Sequence, residues 1–198
     1  MYYMNTESEL MGRIRFIQEA ERLKSVLRSG FTSSGRPEST AEHSWRLCLL
    51  AMTFADQLGP LDMTKVLQLC VIHDLGEAIA GDVPAINQHL DPGKSERERR
   101  DLQTLTQTLP AALQAEILAL WEEYEAAQSA EARVVKGLDK LETIIQHNQG
   151  ANPPDFDYAF NLAYGQRYTA ADPVLAQIRA LVDQDTLRRA RECEPPTC

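Results

Sequence analysis

The sequence is short of paired cysteines, of positive charge and of long apolar runs, and each shortage closes off a class of function. Its four cysteines, Cys48, Cys70, Cys193 and Cys198, include no CxxC pair that would suggest a zinc ribbon. Four in a chain of 198 residues are also too few for a disulfide scaffold. Lys and Arg total 20 against 29 Asp and Glu, a net charge of -9, so a broad electrostatic grip on nucleic acid is not expected. No apolar run approaches the roughly 18 residues that span a bilayer, and no membrane partner is expected. Met1 to Leu10 carries neither a basic n-region nor an apolar h-region. These features predict a soluble protein of the reducing cytoplasm.

What remains is a chain with 43% hydrophobic residues, enough for a substantial core. Apolar residues recur at helical spacing nearly everywhere, and no segment alternates as a strand would. The prediction is an all-α fold, a single helical bundle over residues 1–198. Its core spans about 13–150, its C-terminal helices about 155–191, and a frayed tail about 192–198. Phe16, Ile17, Ala20, Leu23 and Leu27 mark a first helix that Ser29-Gly30 ends. Ser39 and Glu42 form a capping-box signature for a second helix, running to about Leu58. Asp62 caps a third, with Val66, Leu69, Cys70 and His73 on one face. Further helices are expected over 94–109, after Pro110, and from Ser129, followed by two over about 155–165 and 172–191.

Several groups able to bind a metal or move a proton fall where these helices could converge. His73 and Asp74 are about 100° apart on a helix, so they can approach one ion from neighbouring angles. Glu77 lies four residues after His73 and shares its face, and Asp82 follows just beyond. His43 shares a face with Leu47, Leu50 and Phe54, which turns it inward, and Asp139 flanks an apolar stripe. Two imidazoles and two carboxylates make a mixed nitrogen and oxygen site, suited to Mn, Co, Fe, Zn or Mg. Each residue alone has a plainer explanation: an inward histidine is commonly a hydrogen-bonded core residue, and Asp139 beside Lys140 could be an ordinary surface acid. Their joint arrangement changes that.

The order of the motifs resembles the HD superfamily, an all-helical domain carrying His … His-Asp … Asp. Here it reads Ala-Glu-His43-Ser, Val-Ile-His73-Asp74-Leu-Gly-Glu77 and Gly-Leu-Asp139-Lys140. More narrowly, the chain is similar to the 5′-deoxynucleotidases over about residues 13 to 148. The strings that carry this are Arg36-Pro-Glu-Ser-Thr-Ala-Glu-His43, His73-Asp-Leu-Gly-Glu-Ala-Ile-Ala-Gly-Asp82 and Leu120-Trp-Glu-Glu-Tyr-Glu125. The resemblance implies a one-metal phosphomonoesterase that converts deoxynucleoside 5′-monophosphates to nucleosides and phosphate. It implies His43, His73, Asp74 and Asp139 as ligands of one divalent metal ion, Glu77 and Asp82 as catalytic carboxylates, and Arg28 as a substrate-binding residue at the end of the first helix. Bacterial enzymes of this kind carry a tryptophan directly after that arginine, where it helps exclude a ribose 2′-hydroxyl. This chain has Ser29 there.

Related chemistries leave different marks. Two-metal phosphodiesterases place two extra histidines between the His-Asp pair and the last Asp, and only His89 lies there. Alarmone hydrolases carry an adjacent Glu-Asp pair, whereas Glu77 and Asp82 stand apart. The alternatives are hydrolysis of another nucleotide, such as a deoxynucleoside triphosphate, or a non-catalytic module with a structural metal. The expected partners are a small nucleotide and, by the same resemblance, a second copy of the chain in a homodimer.

Overall fold

Local capping signals set most of the helices. In the computed structural model, which describes residues 6–193, the Thr6 hydroxyl accepts from the Glu9 amide while Glu9 accepts from the Thr6 N–H. That reciprocal pair opens α1 (Glu7–Ala20). Ser39 and Glu42 form the same box at the start of α2 (Thr40–Thr53), as their spacing predicts. The Asp62 carboxylate accepts from two amides at the start of α3 (Met63–Ile72). A short α4 (Glu77–Ala80) leads through a 3-10 turn, Ala85–Leu90, to α5 (Lys94–Thr106) and α6 (Ala111–Ala126). Ser129 caps the long α7 (Ala130–Gln149). The chain ends in α8 (Tyr158–Ala163), α9 (Gln166–Thr169) and α10 (Pro173–Cys193). The tail expected over 192–198 lies from residue 194 onward outside the described residues.

Three expectations need correction. The first helix does not run to Ser29-Gly30. It tightens into a 3-10 turn, Glu21–Lys24, and then the chain extends as β1 (Leu27–Phe31), paired antiparallel with β2 (Pro37–Ser39). Leu27 fits the helical series but is 56% exposed, so its spacing is coincidental. Gly35, at φ +81°, turns the chain between the strands, a conformation open to glycine. The Gln146 amide donates to the Phe31 carbonyl and Ala151 N–H to the Thr32 carbonyl, which ties the hairpin to the end of α7. Arg28 therefore sits in a strand. Second, α2 stops at Thr53, where the chain breaks into turns before Gly59. Third, the helix expected over 155–165 is only the short α8, and beyond Gly165, at φ +69°, a further short helix that was not expected, α9, precedes α10.

α7 is the central element. Val135, Leu138, Leu141 and Ile144 are fully buried, and the first three pack with Leu47 and Ala51 of α2, Val66 and Leu69 of α3, and Leu175 of α10. Each such side chain contributes about 1.5–3 kcal/mol of apolar burial. α10 comes so close to α7 that a Cβ on Gly137 would stand 2.5 Å from Leu175 Cδ1. A second cluster, with Leu23, Leu75, Leu102, Leu105 and Trp121, ties α5 and α6 beneath the loop that follows α3. No described helix is long and apolar enough to cross a membrane.

Candidate metal centre and its cavity

Helices α2, α3 and α7 each bring a ligand-type side chain to one point. His43 comes from the first turn of α2, and Asp139 from the middle of α7. His73 and Asp74 close α3 rather than lying inside it. His43, His73 and Asp139 are buried, with ligand atoms that all lie within 4.8 Å of one another. His43 Nε2 is 3.2 Å from Asp139 Oδ1 and 3.9 Å from Asp74 Oδ2, and His73 Nε2 is 3.0 Å from Asp74 Oδ2.

The hydrogen bonds on the far side of each ring decide what faces inward. His73 Nδ1 is 2.9 Å from the Cys70 carbonyl, which can only accept, so Nδ1 carries the proton. His43 Nδ1 meets the Glu142 carboxylate in the same way. In the neutral rings both Nε2 atoms then turn a lone pair toward carboxylate oxygens, and neither has a hydrogen-bond partner among the described residues. Four side chains with donor atoms of this kind thus converge on one point. The donor set fits a divalent cation. The electrostatics ask for the same charge: burial and Arg28 oppose a proton on His43, yet Glu142 and Asp139 raise its pKa to about 10.

The carboxylates divide into two kinds. Burial would raise Asp139, but Lys140 and His43 hold it well below the usual range. Lys140 Nζ and the Tyr124 hydroxyl each stand 2.7 Å from Asp139 Oδ2. Asp74 is likewise held low by His73, Arg28 and His43 against the effect of burial. Glu77 behaves oppositely. Burial, with the charges of Asp74 and Asp82 beside it, pushes its carboxyl up to about 9. Burial also raises Asp82, which keeps a side-chain hydrogen bond to Glu77.

Arg28 reaches this group from β1, donating to Asp74 Oδ2 at 3.2 Å and to Thr143 Oγ1 at 3.0 Å. The structure thus gathers every residue singled out in the sequence: His73, Asp74, Glu77, Asp82, Asp139 and Arg28 line one cavity of about 970 Å³, and His43 lies just behind its wall. Of the charged run on α5, Lys94 reaches the site, 3.4 Å from Glu77, while Arg97 and Arg99 pair with Asp91 and Glu122. Sequence reasoning missed Glu142. It lies three residues after Asp139 on α7, on the same face, and that spacing was the available signal. Its carboxylate holds His43 on one side and lies 3.2 Å from Arg46 Nε on the other.

Comparison with known proteins agrees with this geometry. A family model of the HD domain matches residues 20–179. The human 5′-deoxynucleotidase HDDC2 is 36% identical over 138 residues, covering 69% of this chain and 67% of that protein. The 5′-deoxynucleotidase hdd1 of Schizosaccharomyces pombe is 35% identical over 142 residues, covering 67% of this chain and 69% of its own. Among solved structures, a "predicted metal-dependent phosphohydrolase" from Magnetospirillum magnetotacticum superposes with a TM-score of 0.78 at 32% identity. That match covers 93% of this chain and 98% of the other.

Proposed function

The chain belongs to the HD domain family, and on that premise we propose that it is a 5′-deoxynucleotidase, hydrolysing (deoxy)nucleoside 5′-monophosphates to nucleoside and phosphate with one divalent metal ion. The observation that carries this reading is the pair of buried Nε2 lone pairs aimed at two ionised carboxylates beside a nucleotide-sized cavity. His43, His73, Asp74 and Asp139 would hold the ion, which can be Mn, Co, Mg, Fe or Zn. Bound there, a divalent ion supplies positive charge to the phosphoryl oxygens and makes a water more acidic.

The remaining steps belong to side chains of this chain. Arg28 offers a forked guanidinium at the mouth of the ligand cluster, positioned by Asp74 and Thr143 to meet a phosphate or sugar oxygen. Glu77, whose carboxyl burial and the neighbouring acids push upward, and Asp82, hydrogen-bonded to it, are the carboxylates available to pass a proton to the departing 5′-oxygen and to orient the attacking water. Lys94 adds charge beside both.

The same reading treats residues 1–198 as one HD domain, cytoplasmic and dimeric. In support, Cys48 and Cys70 are unpaired thiols. Trp45, Leu49 and Met52 leave an apolar stripe exposed on α2, the kind of surface a second subunit covers.

The test is phosphate release by metal-stripped protein from deoxy- and ribonucleoside 5′-monophosphates, 3′-monophosphates and deoxynucleoside triphosphates. Single metals are added back, and Asp74→Ala serves as the blank. Release from 5′-monophosphates that the blank lacks is the expected result. Release from triphosphates alone would assign a different substrate, and silence under every metal would leave a structural ion. The deoxy-to-ribo ratio reports the effect of Ser29.

A further inference from the structure

Cavity-facing residues recur one helical turn apart along α7: Asp139, Thr143 and His147. Eight residues at 1.5 Å each place the first and last about 12 Å apart. The metal-ligand cluster stands at the first, and Arg28 bonds to the second. At the third the chemistry changes. His147 meets Phe156 edge to face, ring centres 4.9 Å apart, and its Nδ1 lies 3.0 Å from Asn161 Oδ1. Phe156 and Phe160 are half-buried and line this end of the cavity, with Phe160 stacked on Tyr164 at 5.6 Å.

Asn161 supplies an independent sign of a ligand. It is 0% exposed and lines the cavity, and its Oδ1 is occupied by His147. Its Nδ2 has no acceptor among the described residues. A buried N–H left without an acceptor is destabilising, a penalty removed when a ligand atom accepts from it. The far end therefore offers flat aromatic faces and one amide donor. The order along α7 is anionic-group chemistry, then a forked cation, then a stacking surface, which is the order of phosphate, sugar and base in a mononucleotide.

Resting on the nucleotidase reading above, we infer that Phe156, Phe160 and Asn161 form a nucleobase subsite. The base lies against the phenylalanine rings, and an acceptor on its edge takes the Asn161 Nδ2–H. All common bases carry such an acceptor. The subsite accordingly favours a substrate with a base over one without, and does not choose among bases.

Two readouts test this. The first compares kcat/KM for 2′-deoxyadenosine 5′-monophosphate with that for 2-deoxyribose 5-phosphate, which has the phosphate and sugar but no base. The intact protein should prefer the nucleotide. Phe156→Ala should lower kcat/KM for the nucleotide by about 5- to 150-fold, the usual worth of one base–aromatic stack, and leave the sugar phosphate unchanged. Phe156→Tyr, which keeps the ring, should restore the preference. Equal loss on both substrates, or no loss on either, overturns the subsite. The second readout is calorimetric binding of 2′-deoxyadenosine to metal-stripped protein, which needs no turnover. Binding that weakens in Phe156→Ala and Asn161→Asp while phosphate release fails on every monophosphate would retain the subsite and discard the nucleotidase reading. Binding indifferent to both substitutions would discard the subsite alone.

Discussion

Glu142 acts on the metal centre without touching the cavity. Its carboxylate receives His43 Nδ1–H, which fixes the ring so that Nε2 faces Asp139. Loss of such a partner typically lowers metal affinity 10- to 100-fold. Glu142→Gln should do so here while leaving the helical signal intact, and a calorimetric Mn²⁺ titration would show it; unchanged affinity would reduce Glu142 to a packing residue. His147 gives a pH prediction. Burial lowers its pKa against the hydrogen bond it donates to Asn161 Oδ1, and Arg28 lowers it further. The folded state thus binds its proton less readily than the unfolded chain, whose histidine titrates near 6.5. Its contribution is fully present above about pH 6.5 and is lost as pH falls toward the depressed value. Urea midpoints followed from pH 7.5 to 5 should therefore fall more steeply for the intact protein than for His147→Gln. The convergence of His43, His73, Asp74 and Asp139 could be anticipated from the ordered His, His-Asp and Asp alone, because residue type and chain order carry that information. Glu142 left only its spacing from Asp139 as a sign, and Asn161 left none, since each acts through a partner 99 or 14 residues away.

At the scale of elements, caps proved more legible than periodicity. Ser39, Asp62 and Ser129 each begin the helix their residue type announces. The helical spacing through Leu27 misled, because the hairpin is held by contacts from the end of α7 that no local window contains. Ser39 closes β2 and opens α2, so Ser39→Ala should cost about 1 kcal/mol of stability in urea unfolding. The close approach of α10 to α7 predicts a sharper effect at Gly137. A methyl there meets Leu175 at 2.5 Å, and overpacking of that kind costs about 1–3 kcal/mol. Gly137→Ala should lower the denaturation midpoint, and a midpoint equal to that of the intact protein would mean that α10 moves freely.

Over the whole molecule, the cluster of charges is carried by a core that does not depend on it. The apolar contacts of α2, α3, α6 and α7 lie behind the ligands, and α7 supplies both the core and the cavity floor. Chelation should therefore leave a folded protein with a lower melting temperature. Adding Mn²⁺ to a hundred times its dissociation constant restores about 2.7 kcal/mol by mass action, a rise of roughly 5–10 °C for a chain of this length. Loss of the helical signal on chelation would instead mark the ion as structural. The most direct measurement follows phosphate release from 2′-deoxyadenosine 5′-monophosphate while Mn²⁺ is titrated into metal-stripped protein. Activity should be absent at the start and should saturate at one equivalent. Saturation at two equivalents, or activity in the stripped protein, would contradict a single ion held by His43, His73, Asp74 and Asp139.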